Sequence, residues 1–275
     1  MATRVGASHA VAVNSATSAL HIACATLDLG PGDLLWTSPI TFVASANCGR
    51  YCGADVDFVD IDPETFNICA DALASKLEQA ARAGRLPKII VAVHMCGQSP
   101  DMARIAELAR AHGVRLIEDA SHSIGADYLG QPVGNCAHSD ITVFSFHPVK
   151  IITTAEGGMA LTNDAELAAR MDRLRSHGIT RDPALMTHTP DGPWYYQQLD
   201  LGWNYRMTEM QAALGLSQMD RLDAFIARRR ALADGYDAAL ADLPLRRPGR
   251  QAGAESSWHL YVIRLDDAAR HRAVF

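Results

Sequence analysis

Four short segments carry residue types that could do chemistry, and the sharpest is Phe144-Ser145-Phe146-His147-Pro148-Val149-Lys150. Lys150 is one of only three lysines, with Lys76 and Lys88, among 25 basic residues. Arginine serves almost everywhere a surface cation is wanted, so a lysine in an apolar, proline-containing stretch stands out. Removing an amine from water lowers its pKa and frees its lone pair as a nucleophile. The plainer reading is a lysine that snorkels from a strand edge and keeps its ammonium wet. Ser145 offers a hydroxyl to a phosphate, and Gly157-Gly158 permits a tight turn further along.

The second segment, Asn14-Ser15-Ala16-Thr17-Ser18-Ala19, lies where a strand gives way to a helix. Small residues and hydroxyls at a helix N-terminus expose N–H groups and the positive end of the dipole, which suits a phosphate. A plain N-cap by Ser15 or Thr17 fits the same residues. There is no GxGxxG, so a dinucleotide fingerprint is not supported. The third segment, Glu118-Asp119-Ala120-Ser121-His122, follows the strand-like VRLI. A carboxylate there can keep a pyridine nitrogen protonated, or it can simply cap a helix. In the fourth, Gly202-Trp203-Asn204-Tyr205-Arg206-Met207-Thr208-Glu209, an asparagine and an arginine beside two aromatics can bind a phosphate or cap the helix that follows.

These segments need a scaffold, and the pattern around them supplies one. Strand-like runs at Val11–Val13, Leu34–Thr37, Val56–Val59, Ile89–Val93, Val114–Glu118, Ile141–Phe144 and Met159–Thr162 alternate with amphipathic runs. The helical runs are Ser15–Leu27, Thr41–Tyr51, Ala70–Ala83 and Met102–Ala111. Such alternation predicts an α/β fold with a mostly parallel central sheet flanked by helices. Ligands of such sheets sit beyond the carboxyl ends of the strands, where the first three segments fall. Thr180 to Pro193 reads as a loop, Thr208 to Leu240 as a long helical stretch, and WHLYVIRL (Trp258–Leu265) as the first strand of a second unit. That unit has too little sequence left to complete a core.

Composition narrows the function. A net charge of −6 gives no reason to expect a nucleic-acid partner. No apolar run reaches the roughly 18 residues of a membrane span, and the first residues lack the layout of a signal peptide, so a cytoplasmic location is expected. Six scattered cysteines, Cys24, Cys48, Cys52, Cys69, Cys96 and Cys136, read as free thiols in a reducing compartment. His94 and Cys96 flank Met95, but one such pair does not make a zinc site, and no metal is expected.

Taken in order, NSATSAL, TSPITFVASAN, EDASHSIG, FSFHPVKIITTAEGGM, LRSHGI and GWNYRMTEMQAALGLSQ resemble the DegT/StrS-type sugar aminotransferases, a branch of the fold-type I enzymes that use pyridoxal 5'-phosphate (PLP). The resemblance runs from about His9 to the end of the chain. It implies that Lys150 carries the cofactor covalently and shuttles protons. Asp119 then pairs with the pyridine nitrogen, His122 lies beside the ring, and Phe42 stacks on its face. Ala16, Thr17 and Ser145 hold the phosphate, and Asn204 reaches the phosphate of a neighbouring subunit's cofactor. A homodimer with shared active sites is therefore implied.

The SPITFVASAN and FSFHPVKIITTAEGG stretches are most similar to the branch that aminates C4 of a UDP-linked 4-keto-6-deoxy-N-acetylhexosamine in pseudaminic acid biosynthesis, with L-glutamate as the implied donor. The resemblance also divides the chain into an N-terminally shortened PLP-binding domain (1–207), a connecting helix (208–240) and the start of an incomplete small domain (241–275). The alternatives are a catalytically impaired PLP-binding fragment or regulatory module, a PLP dehydratase and an NAD-dependent sugar enzyme. Lys150 stands where the dehydratases carry histidine, and the glycine fingerprint of the NAD enzymes is missing.

Overall fold

The alternating runs close into a seven-stranded sheet in the computed structural model, which describes residues 1–275. In chain order its elements are β1 (His9–Val13), α1 (Ala16–Thr26), β2 (Leu34–Thr37), α2 (Ala44–Tyr51), β3 (Asp55–Phe58), α3 (Ala70–Arg82), β4 (Ile89–Val93), α4 (Met102–Ala111), β5 (Arg115–Asp119), β6 (Ile141–Ser145), β7 (Gly158–Thr162) and α5 (Ala165–Leu174). Two further helices follow, α6 (Glu209–Met219) and α7 (Leu222–Ala239). The strand order is β1-β7-β6-β5-β4-β2-β3. Strands β2 to β6 pair in parallel, whereas β7 runs antiparallel to both of its neighbours, β6 and β1.

The sheet holds because alternate side chains bury on opposite faces. One face packs Trp36, Ile90, Leu116, Phe144 and Leu161 against Leu73, Leu77, Met102 and Ile105 of α3 and α4, and against Leu222 and Ile226 of α7. The other packs Val11, Val13, Ile89, Val91, Ile117, Val143 and Ala160 against Leu20 and Ile22 of α1, Cys48 of α2, and Met171 and Leu174 of α5. Every residue of β4 is buried, as a central parallel strand covered on both sides must be.

Three differences from the sequence expectation have physical causes. The stretch from Thr208 to Leu240 is two helices, α6 and α7, parted at Asp220–Arg221. Helix α5 adds an element beyond those predicted. Its Asp164 cap accepts from the Glu166 and Leu167 N–H groups, and Ala168, Met171 and Leu174 mark its buried face. WHLYVIRL is not a continuous strand: only Arg264–Leu265 pairs, with Leu245–Arg246. Trp258 takes a left-handed φ of 51°, and the Ser257 and Leu260 N–H groups donate to the Gly97 and Cys96 carbonyls rather than to a sheet neighbour. No helix is long and apolar enough to cross a membrane.

Phe144 is fully buried on β6, against the glycine turn at Gly134. Phe144→Ala should cost about 3–5 kcal/mol, the range for emptying a buried aromatic position. Urea denaturation would read this as a lower midpoint at unchanged slope.

Candidate active site

The carboxyl ends of β1, β5 and β6 lie at one edge of the sheet, joined there by the amino end of the reversed strand β7. A cleft of about 220 Å³ opens on this edge. Seven residues singled out from sequence line it: Ala16, Thr17, Phe42, Asp119, His122, Ser145 and Lys150. The eighth, Asn204, lies outside it, exposed, with its backbone bridged to Ser176. A wider groove of about 730 Å³ follows the β3 edge. Its charges are already paired, Lys76 to Asp57 at 2.7 Å and Arg50 to Asp55 at 2.9 Å.

One end of the cleft is built to receive an anion. Ser15 caps α1, its Oγ accepting from the Ser18 N–H at 3.1 Å. Ser18 Oγ in turn donates to Asn14 Oδ1 at 2.7 Å. The Ala16 and Thr17 N–H groups have no acceptor within the chain, as expected of the first turn. Gly158 makes the close approach possible. It lies opposite both Val13 and Ser145 in the sheet, and a Cβ there would meet the Ser15 carbonyl carbon and the Ala16 nitrogen at 2.5 Å.

Lys150 is carried by the loop between β6 and β7, which is closed on itself. Phe146 N donates to Gly157 O (2.9 Å), Thr154 N to Phe146 O (3.0 Å) and Lys150 N to His147 O (2.9 Å). The Lys150 amine has no ion-pair partner. Lys76 has Asp57, and Lys88 has Asp33 at 2.9 Å. Burial therefore lowers the Lys150 pKa below the ordinary lysine value, with the charge of Asp119 opposing the shift only in part.

Asp119 ends β5, and its carboxylate is fixed by neighbours not anticipated from sequence. Ser45 Oγ of α2 donates to Oδ2 at 2.7 Å, while Ser121 donates to Oδ1 through its hydroxyl (2.5 Å) and its N–H (3.2 Å). Ser45 belongs to the conspicuous SPITFVASAN run, yet no local spacing announces that it meets Asp119 across the sheet edge. His122 is half-buried in the same cleft as Lys150, and its pKa is pushed down to about 3, first by desolvation and then by the charges of Lys150 and His94. Phe42 is exposed at the lip, because α2 begins at Ala44 rather than at Thr41. His94 does not pair with Cys96. Its Nε2 lies 3.0 Å from Glu118 Oε2, close in distance but not aligned as a hydrogen bond, and no group of three possible metal ligands assembles. An anion cradle, an unpaired amine and an anchored carboxylate thus line one cleft, where residues of this kind could hold a phosphorylated, basic-ringed aldehyde.

Comparisons with known proteins agree with this chemistry. The DegT/DnrJ/EryC1/StrS aminotransferase family matches residues 1–275. Spore coat polysaccharide biosynthesis protein SpsC of Bacillus subtilis is 41% identical over 264 residues, 96% of this chain and 66% of the relative. GDP-perosamine synthase of Caulobacter vibrioides is 39% identical, over 95% of this chain and 66% of the relative. The chain thus spans just under two thirds of the length of these curated relatives. Among solved structures, Helicobacter pylori PseC, an aminotransferase of pseudaminic acid biosynthesis, superposes with a TM-score of 0.86 at 32% identity, covering 98% of this chain and 68% of PseC. The PLP form of a sugar aminotransferase from Streptococcus pneumoniae superposes with a TM-score of 0.84 at 29% identity, covering 97% and 69%. PLP is the cofactor of the family.

Two outcomes follow from the geometry. Because its folded-state pKa is lowered, Lys150 loses its proton at lower pH than a free lysine, with about tenfold more free amine per pKa unit. Limiting acetic anhydride at pH 8 should therefore acylate Lys150 of the cofactor-free protein before Lys76 and Lys88, as read by peptide mass spectrometry. Gly158→Ala should weaken PLP binding by about tenfold or more, roughly 1.4 kcal/mol, in a fluorescence titration. An unchanged affinity would remove the α1 N-terminus from the phosphate site.

Proposed function

Because the chain belongs to the DegT/DnrJ/EryC1/StrS aminotransferase family, we propose that its cleft carries PLP on Lys150 and transfers an amino group to a nucleotide-linked keto-sugar. The observation that carries this reading is the meeting of Lys150, Asp119 and the α1 N-terminus in one cleft. When bound, the cofactor supplies an aldehyde that takes up the amino group and a ring that spreads the resulting negative charge. The free N–H groups of Ala16 and Thr17 and the hydroxyl of Ser145 are assigned to the phosphate. The Asp119 carboxylate, held by Ser45 and Ser121, supports a protonated ring nitrogen. Phe42 and His122 flank the ring. The Lys150 amine, partly desolvated, acts as the nucleophile and then carries a proton as base and acid in turn.

The sugar proposed is a UDP-linked 4-keto-6-deoxy-N-acetylhexosamine aminated at C4, as in pseudaminic acid biosynthesis, with L-glutamate as donor. The FSFHPVKIITTAEGG stretch and the likeness to PseC support this choice. The reading includes a homodimer in which Asn204 reaches the partner's cofactor. Its support is the exposure of Asn204 and of the apolar Phe42, Val43, Leu201, Met210 and Leu216. The proposed division is a PLP-binding part (1–207), a connection (208–240) and the start of a small domain (241–275). The cytoplasm is the proposed location.

The test is borohydride reduction of the PLP-loaded protein followed by peptide mass spectrometry. A pyridoxyl group is expected on Lys150, none on Lys150→Ala, and glutamate should bleach the visible band of the unreduced protein. A pyridoxyl group on Lys76 or Lys88, or on no residue, would refute the assignment. A band that ignores glutamate would favour a PLP-binding module without transfer activity.

A further inference from the structure

The stretch Ser256–Leu260, whose last three residues the sequence suggests as the start of a strand, is strapped across the back of the cleft. Ser257 N donates to Gly97 O at 3.0 Å, Leu260 N to Cys96 O at 3.2 Å, and Ser257 Oγ to His122 O at 2.9 Å. Arg229 of α7 donates from Nη1 to the Trp258 and His259 carbonyls at 3.0 and 3.2 Å. The strap lies so close to the turn after β4 that a Cβ on Gly97, whose φ is +103°, would meet Ser257 Oγ at 2.7 Å and His259 N at 2.8 Å. Four anchored residues, Ser257 to Leu260, therefore leave His259 little freedom in where its ring goes.

That ring packs on His122, with centroids 4.4 Å apart and planes inclined by 38°. His259 Nδ1 is buried without a hydrogen-bond partner, so the ring is not held there by a polar contact of its own through that atom. On the far side, His122 Nδ1 accepts from the Cys96 N–H at 3.3 Å. A ring nitrogen that accepts carries no proton, so a neutral His122 has its proton on Nε2. No acceptor within the chain takes that proton, and His122 lines the cleft.

We propose that His259 is a positioning residue: packed on His122 and fastened by the strap, it holds that ring as the Nε2–H tautomer, with the donor free for an oxygen atom bound in the cleft. The charges around the pair favour the neutral form. Lys150 and His94 act on His122, and Lys150 and Arg229 act on His259. Both imidazoles are pushed down to about 3, burial being the larger cause in each. The Cys96 thiol, pushed up to about 11 by burial, adds no negative charge. The proposal builds on the reading of this cleft as the cofactor site, but its test uses cofactor-free protein, so the two can fail separately.

The test is two-bond 1H–15N correlation NMR of histidine-labelled, cofactor-free protein. The wild type should show His122 as the Nε2–H tautomer, untitrated from pH 8 to 5. His259→Ala, which opens the packed side to water, should mix the tautomers and raise the His122 midpoint by about two units or more, a hundredfold in protonation and into the scanned range. His259→Phe, which refills the shape without a ring nitrogen, should restore the wild-type pattern. An Nδ1–H tautomer in the wild type, or a His259→Ala spectrum identical to it, would overturn the proposal. If His259→Ala does not fold, the wild-type tautomer and the His259→Phe titration still decide.

Discussion

The site depends on keeping one amine away from water without giving it a counterion in contact. A buried ammonium is costly, and proteins usually meet that cost with a touching carboxylate. Lys76 and Lys88 follow the usual course. Lys150 does not, and its loop is closed by backbone hydrogen bonds that leave the side chain no such partner. Asp119 is near enough to oppose the fall in pKa but spends its oxygens on Ser45 and Ser121. The carboxylate is satisfied, the amine is not, and the difference is available for chemistry.

The sheet edge makes this tolerable. Strand ends leave backbone N–H and C=O groups beyond the ladder, so polar side chains there find partners without disturbing the packed interior. Asp119 and Ser145 are the last residues of β5 and β6, and each is buried on the side of the strand that would otherwise carry an apolar core residue. The same edge gathers the free N–H groups of α1, so positive potential and negative charge meet across the cleft.

Much of this was legible in the residues. Strands β2 and β4 and helix α4 lie where the pattern predicts them, because their apolar periodicity is strong and their ends are marked. The candidate residues on strand ends fell into one cleft because a parallel sheet sends those ends to one edge. What could not be read is long-range. Ser45 reaches Asp119 from a helix far along the chain, and His259 reaches His122 by a strap whose backbone turns at Trp258. WHLYVIRL has the composition of a strand, and only its contacts with Cys96 and Gly97 decide otherwise.

Strand β7 runs against its neighbours, and β1 has no sheet partner but β7. Strand β1 can therefore be paired only when β7, the last of the seven in chain order, has been made. Until then HAVAV, an apolar stretch with two unsatisfied edges, must wait outside the growing sheet. The N-terminus of α1, which follows β1, is consequently the last part of the cleft to be installed. Strand β1 thus joins the sheet out of chain order, and it needs protection from association for as long as that wait lasts.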